Sequence, residues 1–282
     1  MHCRTRVRQS HCAVRRAVAA VAVAFGLAQA LYAGGRPAVE RRLDYSVRVW
    51  KGLRFLGRTV GTVVVEFGQG KRGEQRSRLV RVHTKAGLLG MRVDATTESH
   101  LHARTGRELG FHYLRTGSRR VESRLDFLPG RVEYFKFERR DGAKRPTWQK
   151  LAVHASNGDV FDMFATFYVG RVRGLAVGGP PRRIRCVADR KLWDVSFRAV
   201  ARERVTVPAG TFDTVRLAIK ATPANAYTKS LSFRGPFALG EDAIFWVEPA
   251  SGTLVKLSGT AHLAIRVRTE MRLVRVTTHA VK

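Results

Sequence analysis

A two-residue alternation of apolar and polar side chains constrains the fold of this chain more than any other feature. Along residues 193–207 one face carries Trp193, Val195, Phe197, Ala199, Ala201, Val205 and Val207. The opposite face carries Asp194, Ser196, Arg198, Arg202 and Arg204. Because successive side chains of a strand point to opposite faces, this pattern indicates long strands with one buried and one solvated side. Such two-faced strands favour an antiparallel sheet over a parallel one.

The same alternation recurs at both ends of the chain. Near the start, Tyr45, Val47 and Val49 share a face. In the last long segment, the residues predicted to face inward are Leu263, Ile265, Val267, Met271 and Leu273, and those predicted to face outward are Arg266, Arg268, Glu270 and Arg272. A register slip of one residue would bury those arginines, so the pattern fixes the strand register. Between these ends, short segments bounded by Gly, Pro or Asp-Gly predict an antiparallel meander.

One segment breaks the alternation and predicts a helix. In residues 158–170 the aromatic residues Phe161, Phe164, Phe167 and Tyr168 lie three or four positions apart. Asn157 or Asp159 is the predicted N-cap and Gly170 the predicted stop. Apolar side chains on most sides of this segment indicate a helix buried against the sheet. An aromatic stripe of this kind is more typical of a core than of a cofactor pocket.

The stretch VPAGTFDTVRLAI predicts a tight turn between two long strands. Pro208 has the φ angle that a turn corner requires, and Gly210 can adopt positive φ. Phe212 follows the corner and is expected to fold over the apolar face. The turn would bring two long amphipathic strands together.

The first thirty residues have the features of a secretory signal peptide. Five arginines precede an apolar segment of about 15 residues, and small-residue cleavage options follow at Ala30 and Ala33. An uncleaved membrane anchor is the alternative, but a span requires about 20 apolar residues. We therefore predict a signal peptide at 1–30, a linker at 31–42, a single β domain at 43–282 and no membrane span after cleavage.

The charge of the chain is extreme, at +30 with 52 basic and 22 acidic residues. Removal of residues 1–30, which contain five arginines and no acid, would leave 47 basic and 22 acidic residues, or +25. Three interpretations stay open: attraction to a polyanion, a solvated basic surface without a partner, and a compositional preference for arginine. Arg198, Arg202, Arg204, Arg266, Arg268 and Arg272 would form an anion-binding stripe if their strands are neighbours.

No catalytic constellation is visible in the sequence. Cys186 is the one cysteine outside the predicted signal peptide, so no internal disulfide is expected. Arg183 and Arg185 could activate its thiol, but a lone strand cysteine is more often an inert core residue. The array Glu98, His100 and His102, with Asp94 on the same face, is a candidate site for zinc or copper, and an ordinary solvent-facing set of polar residues is the alternative. We otherwise expect no cofactor, and the aromatic residues do not form a stacking platform for nucleic acid.

Four segments follow one another along the chain: YSVRVWKGLRFLG, DVFDMFATFYVGR, VPAGTFDTVRLAI and IFWVEPASGTLVKLSG. In this order they resemble the exported bacterial proteins grouped as domain of unknown function DUF3108, and the resemblance spans roughly residues 43–275. A further segment, ATTESHLHARTGRELGFHYLR, matches except that Gly110 or Phe111 stands where a proline is common. The resemblance implies the periplasm of a Gram-negative bacterium and a curved all-β sheet similar in outline to half-barrel lipid binders. It implies no established activity.

These features together predict a mainly β protein with a strongly curved antiparallel sheet, a half-barrel or β-roll, and one internal helix near 158–170. The expected function is a non-enzymatic envelope protein that binds a lipid or another apolar ligand on a concave face. The alternative is a module that binds an anionic envelope polymer or a partner protein through its basic surface. An enzyme would require a polar cluster that sequence spacing does not reveal.

Overall fold

Fifteen strands and one short helix make up the described part of the chain. A computed structural model describes residues 39–50, 58–88, 91–117, 120–138, 145–157, 160–168, 174–188, 190–224, 242–262 and 266–279. The strands are β1 (Val39–Trp50), β2 (Arg58–Arg72), β3 (Gln75–Leu88), β4 (Met91–His102), β5 (Glu108–Gly117), β6 (Val121–Leu128), β7 (Arg131–Glu138), β8 (Thr147–Ala155), β9 (Val160–Asp162), β10 (Arg182–Ala188), β11 (Lys191–Val207), β12 (Gly210–Pro223), β13 (Ile244–Glu248), β14 (Thr253–His262) and β15 (Arg266–Thr278). The helix α1 is Met163–Tyr168.

The strands form one sheet built from two meanders. Its order is β8-β7-β6-β5-β4-β3-β2-β1-β15-β14-β13-β12-β11-β10-β9. The first meander runs outward from β1 to β8, and the second runs inward from β9 to β15, which pairs with β1. The pairs are antiparallel, as predicted, except for the parallel pair of β9 and β10. The two edges of the sheet, β8 and β9, are consecutive along the chain.

This order requires strong curvature. Fifteen strands in a flat sheet would separate the two edges by about 65 Å. Only four residues connect Ala155 at the end of β8 to Val160 at the start of β9, and such a connection spans at most about 17 Å. The sheet must therefore curl until its edges approach each other. The predicted curved antiparallel sheet is confirmed.

The curled sheet encloses a large apolar core. Most of the predicted inward side chains of β11 and β12, among them Phe197 and Leu217, are buried, whereas Ala201 and Val205 are half-buried. Tyr45, Met271 and Leu273 are buried as predicted; Leu263 and Ile265 lie outside the described residues. A smaller cluster joins the two meanders where they meet; it contains Leu125, Val132, Tyr134, Val160, Val187 and Leu192. We call this contact between β6–β7 and β9–β11 the seam.

The internal helix is shorter than the sequence indicates. Val160–Asp162 form β9, and the helix occupies only Met163–Tyr168. Its N-cap is Asp162, because Asp162 Oδ1 accepts hydrogen bonds from the amides of Phe164 at 2.6 Å and Ala165 at 3.0 Å. The predicted caps Asn157 and Asp159 were therefore wrong, and Gly170 lies outside the described residues. The internal position is confirmed, since α1 contacts β3, β4 and β14, and Phe164 stacks on Phe111 with centroids 6.3 Å apart.

The turn at residues 207–210 ties the second meander to the centre of the sheet. Val207 pairs with Gly210 across Pro208 and Ala209, and Gly210 has a φ of +132°. The amide of Ala209 donates to the carbonyl of Leu273 on β15 at 3.2 Å. Phe212 packs against the main core as expected. The turn thus joins two strands and also anchors them to a third.

We expect Gly210→Ala to lower the free energy of unfolding by about 1–2 kcal/mol, because an alanine rarely adopts this φ. An added Cβ would meet Phe212 Cε2 only at 3.9 Å, so crowding contributes little. Urea denaturation measures the effect. Gly70→Ala is the matched control, because Gly70 lies in β2 without a positive φ; an equal loss in both variants would contradict the prediction.

The beginning of the sheet differs from the predicted domain boundary. Residues 39–42, which the sequence assigned to the linker, are the first residues of β1. The predicted signal peptide at 1–30 lies outside the described residues. Within the described part of the chain, no helix has the length and apolar character that a membrane crossing requires.

Candidate functional site

Several arginines on the outer face of the first meander are paired with acids. A row of ion pairs, here called the charge ladder, crosses the sheet from β15 to β6. Its contacts are Arg275–Asp44 at 3.1 Å, Arg42–Asp44 at 3.0 Å, Arg42–Glu66 at 3.5 Å, Arg81–Glu66 at 3.8 Å, Arg81–Glu98 at 2.7 Å, His112–Glu122 at 3.1 Å and Arg120–Glu122 at 2.7 Å. Opposite charges on neighbouring strands stabilise a sheet, whereas like charges destabilise it. The arginines of the ladder therefore have a structural role.

A second row neutralises cations between β11 and β15. Glu203 accepts from Arg216 at 2.7 Å and from the indole N–H of Trp246 at 2.7 Å. Lys256 lies 4.8 Å from the centroid of the Trp246 ring and 3.0 Å from Glu270. Glu270 is buried and also accepts from Arg272. Arg272, a predicted anion contact, is thus bonded within the sheet.

The outer face of β10–β12 differs from both rows. Arg183 on β10 and Lys220 on β12 both pair with Ser196 on β11, and Arg198 follows two positions after Ser196. All three cations are exposed, and no acidic partner lies against them among the residues that the structure describes. The nearby acid Asp194 accepts from Arg185 at 2.9 Å. We call Arg183, Ser196, Arg198 and Lys220 the basic face.

The predicted arginine stripe is divided between two places. Arg198 and Arg202 are exposed on β11, while Arg266, Arg268 and Arg272 lie on β15, and β12, β13 and β14 separate the two strands. Arg204 lies 3.9 Å from Asp213, and Arg268 is exposed. Neighbouring strands bring together Arg198, Arg183 and Lys220 instead. The sequence predicted the outward direction of Arg198 but not these neighbours.

The predicted metal array does not converge on a common point. Glu98 pairs with Arg81 at 2.7 Å, His100 Nδ1 lies 3.0 Å from the Ser77 hydroxyl, and His102 Nδ1 accepts from the Thr105 amide at 3.2 Å. Asp94 contacts His83 at 2.8 Å. No three His, Cys, Asp or Glu side chains within the described residues are placed to share a metal ion.

A buried acid pair is the feature that sequence reasoning missed. Glu108 on β5 and Asp162 on β9 are 0% and 1% exposed. The Asp162 amide donates to Glu108 Oε2 at 2.6 Å. In the sequence, Asp162 is one of the acids near the start of the predicted helix, where the helix dipole explains an acid without a further role. Nothing in the sequence indicates that Glu108 is buried, because an acid beside a turn is normally solvated.

A pocket of about 390 Å³ lies beside Glu108. Arg107, Glu108, Phe127, Ser156 and Asn157 are among its lining residues, so polar and apolar groups both contribute. Cys186 is fully buried nearby in the core, as the sequence favoured. The Cys186 thiol and the Glu108 carboxyl are close enough to interact electrostatically.

The comparisons with known proteins assign a family but no activity. The model of the DUF3108 proteins of unknown function matches residues 44–274, so the chain belongs to this family. A β-barrel-like protein of the domain of unknown function DUF1849 from Brucella abortus has 13% identity and a TM-score of 0.51, covering 86% of this chain and 98% of its own. A protein with a YmcC-like fold from Bacteroides fragilis has 7% identity and a TM-score of 0.35, covering 87% and 99%. The first likeness supports the fold alone. No curated protein matches the chain significantly.

Proposed function

We propose that this member of the DUF3108 family is an exported, non-enzymatic binding module that holds an anionic partner on the basic face. The supporting observation is that some cations on the outer face of the sheet have acidic partners and others do not. The charge ladder pairs its arginines with acids, whereas Arg183, Arg198 and Lys220 surround Ser196 without an acidic partner among the described residues.

Repulsion among the cations of the basic face destabilises the isolated fold. Cations opposite or diagonal to one another on neighbouring strands lie about 5–8 Å apart and repel. A single acid at Ser196 would relieve that repulsion, as Glu98 and Glu66 do beside Arg81. A uniform excess of arginine in the composition does not explain why two rows of cations have acidic partners while the basic face has none among the described residues. An anionic group bound at Ser196 would supply the missing charge.

The class of partner follows from the predicted compartment. The arginine-rich, apolar leader at residues 1–30 supports export, and the envelope of a Gram-negative bacterium offers phosphate-bearing lipids and polymers as polyanions. Nucleic acid is a poorer partner, because it is scarce in that compartment. We therefore assign a phosphate-bearing envelope component to the basic face.

The apolar-ligand alternative has less support. The described interior is filled by a continuous core that includes Tyr45, Phe197, Phe245 and Leu273. The pocket near Glu108 is modest and mixed in polarity, whereas a lipid site would be expected to be large and mainly apolar. An apolar ligand nevertheless remains a defined outcome of the experiment below.

Charge reversal tests the basic face directly. We expect Arg198→Glu with Lys220→Glu to weaken binding of the mature chain to phosphatidylglycerol vesicles or polyphosphate by about 2 kcal/mol, roughly thirtyfold. Binding by the wild type should fall as salt is added, because exposed charges are screened. Vesicle sedimentation and fluorescence titration measure these affinities.

A matched control separates the site from total charge. Arg76→Glu with Arg104→Glu changes the net charge equally at exposed positions outside the basic face and is expected to leave affinity within about threefold. Equal losses in both double variants would refute a dedicated site. Salt-insensitive binding, together with lipid retained on the re-isolated protein in mass spectrometry, would favour the apolar-ligand alternative.

A further inference from the structure

The buried acid pair links the two meanders at the seam. Glu108 begins β5 in the first meander, and Asp162 ends β9 in the second. The strands are far apart in the order of the sheet, yet the Asp162 amide reaches Glu108 Oε2 at 2.6 Å. Asp162 in turn caps α1 through Oδ1. One carboxyl contact therefore connects the first meander to the edge strand and the helix of the second.

The pair requires a proton. The Asp162 backbone amide lies 2.6 Å from Glu108 Oε2, and both carboxyl groups are buried. Two acids in one site without water repel each other unless one of them holds a proton. No N–H or O–H group of the described residues reaches Glu108 Oε1. Burial raises the pKa of Glu108 well above its usual value, and the adjacent Asp162 carboxyl raises that pKa further. Glu108 is therefore the residue of the pair that we expect to carry the proton.

We propose that the proton held by Glu108 beside Asp162 is a latch that keeps the seam closed, and that its loss at higher pH loosens β9 and α1 beside the pocket. This device is independent of the basic face. Ionisation of Glu108 would place two negative charges in contact within a site that excludes water. The Asp162 side chain would then be repelled from Glu108 while it still caps the helix.

Few other charges face the latch. Cys186 on β10 also acts on Glu108, and a thiolate there would oppose its ionisation. Arg107, next to Glu108 on the chain, lines the pocket and is exposed to solvent. Val160, which precedes Asp162 by two residues on β9, packs into the apolar seam cluster. Among these surroundings, the proton is therefore the main feature that offsets the repulsion between the two carboxyl groups.

The sign of the pH effect follows from linkage. In the unfolded chain Glu108 loses its proton near its ordinary pKa of 4.5. In the native state it keeps the proton to a higher pH, so unfolding releases a proton in that interval. The contribution of the latch is complete below about pH 4.5 and decreases as pH rises toward the raised native pKa.

Glu108→Gln tests the latch, because a carboxamide can accept from the Asp162 amide and donate to the Asp162 carboxylate without titrating. In the wild type, ionisation of Glu108 is expected to raise the unfolding equilibrium constant by up to tenfold per pH unit above about pH 4.5. In the variant, residue 108 should make no pH-dependent contribution to that constant. Denaturant titrations at several pH values measure it. Glu74→Gln, at an exposed turn, should follow the wild type. Parallel curves for the wild type and Glu108→Gln would overturn the proposal.

Hydrogen exchange of the wild type provides a second test that does not require a variant to fold. Amides of residues 160–168 should lose protection as pH rises, after correction for the intrinsic exchange rate, while amides of β1 and β15 keep theirs. Protection of residues 160–168 that stays constant with pH would overturn the proposal, whatever Glu108→Gln does.

Discussion

Replacing Phe197 with alanine is expected to lower the free energy of unfolding by about 3–5 kcal/mol. Phe197 has no exposed surface and is among the largest fully buried side chains of the described core. It lies near the middle of β11, opposite Ile219 on β12 and Arg182 on β10. Its removal would leave a cavity between three strands whose backbones are fixed by pairing on both sides. Urea denaturation of the wild type and the variant measures the loss.

Val200→Ala is the matched control for Phe197→Ala. Val200 lies on the same strand but is 38% exposed, so its truncation should change stability by less than about 1 kcal/mol. A small loss at Phe197, or a large one at Val200, would mean that β11 presents its other face to the core. The assignment of the basic face would then be wrong as well, because Arg198 would point inward.

The alternation in β11, β12 and β15 was sufficient to predict the buried faces because period two has a direct physical meaning. Phe197, Leu217 and Leu273 are buried as predicted, and Arg198 is exposed. The interruption lies at Val200, where β11 and β12 shift register between Ala199 and Ala201. A bulge of this kind changes which face of the strand the following residues occupy. No glycine or proline in the sequence marks the position of this bulge.

The boundary between β9 and α1 could not be predicted from local pattern. The aromatic spacing of residues 158–170 suits a helix, but Val160–Asp162 pair in parallel with Arg185–Val187 of β10. That pairing is a tertiary contact, and it overrides the local preference for helix. The helix then starts at Met163, where Asp162 caps it. Local sequence therefore established the presence of a helix but not its first turn.

The candidate site depended on strand order, which alternation does not encode. Arg198 and Arg268 both face outward, yet three strands separate β11 from β15. The partners Arg183 and Lys220 became visible only from the registers of β10–β11 and β11–β12. Glu108 and Asp162 meet across 54 positions of the chain. Contacts of this range follow from closure of the curled sheet and not from any local motif.

Lowering the pH from about 6.5 to about 4 is expected to remove up to about 3 kcal/mol of stability through His100. Burial, together with a smaller effect of the nearby Arg72 guanidinium, lowers the pKa of His100 from 6.5 to about 4. Arg81 and His112 act in the same direction, and Glu98 opposes them. Native His100 therefore stays neutral, while the unfolded chain takes up a proton below pH 6.5. Its contribution is complete above that pH and is lost as pH falls through the interval.

The comparison of wild type with His100→Gln isolates this effect from that of the latch. Glu108 acts with the opposite sign and begins to act at about pH 4.5, so the two groups partly cancel between pH 4.5 and 6.5 and the wild-type curve should be flattened there. The difference in unfolding free energy between wild type and His100→Gln removes the part due to Glu108, which both proteins share. This difference should decrease as the solution is acidified, because the glutamine can contact the Ser77 hydroxyl but does not titrate. His102→Gln, at the turn beside Thr105, is the control; a pH-independent difference for His100→Gln would show that His100 is not held neutral by burial.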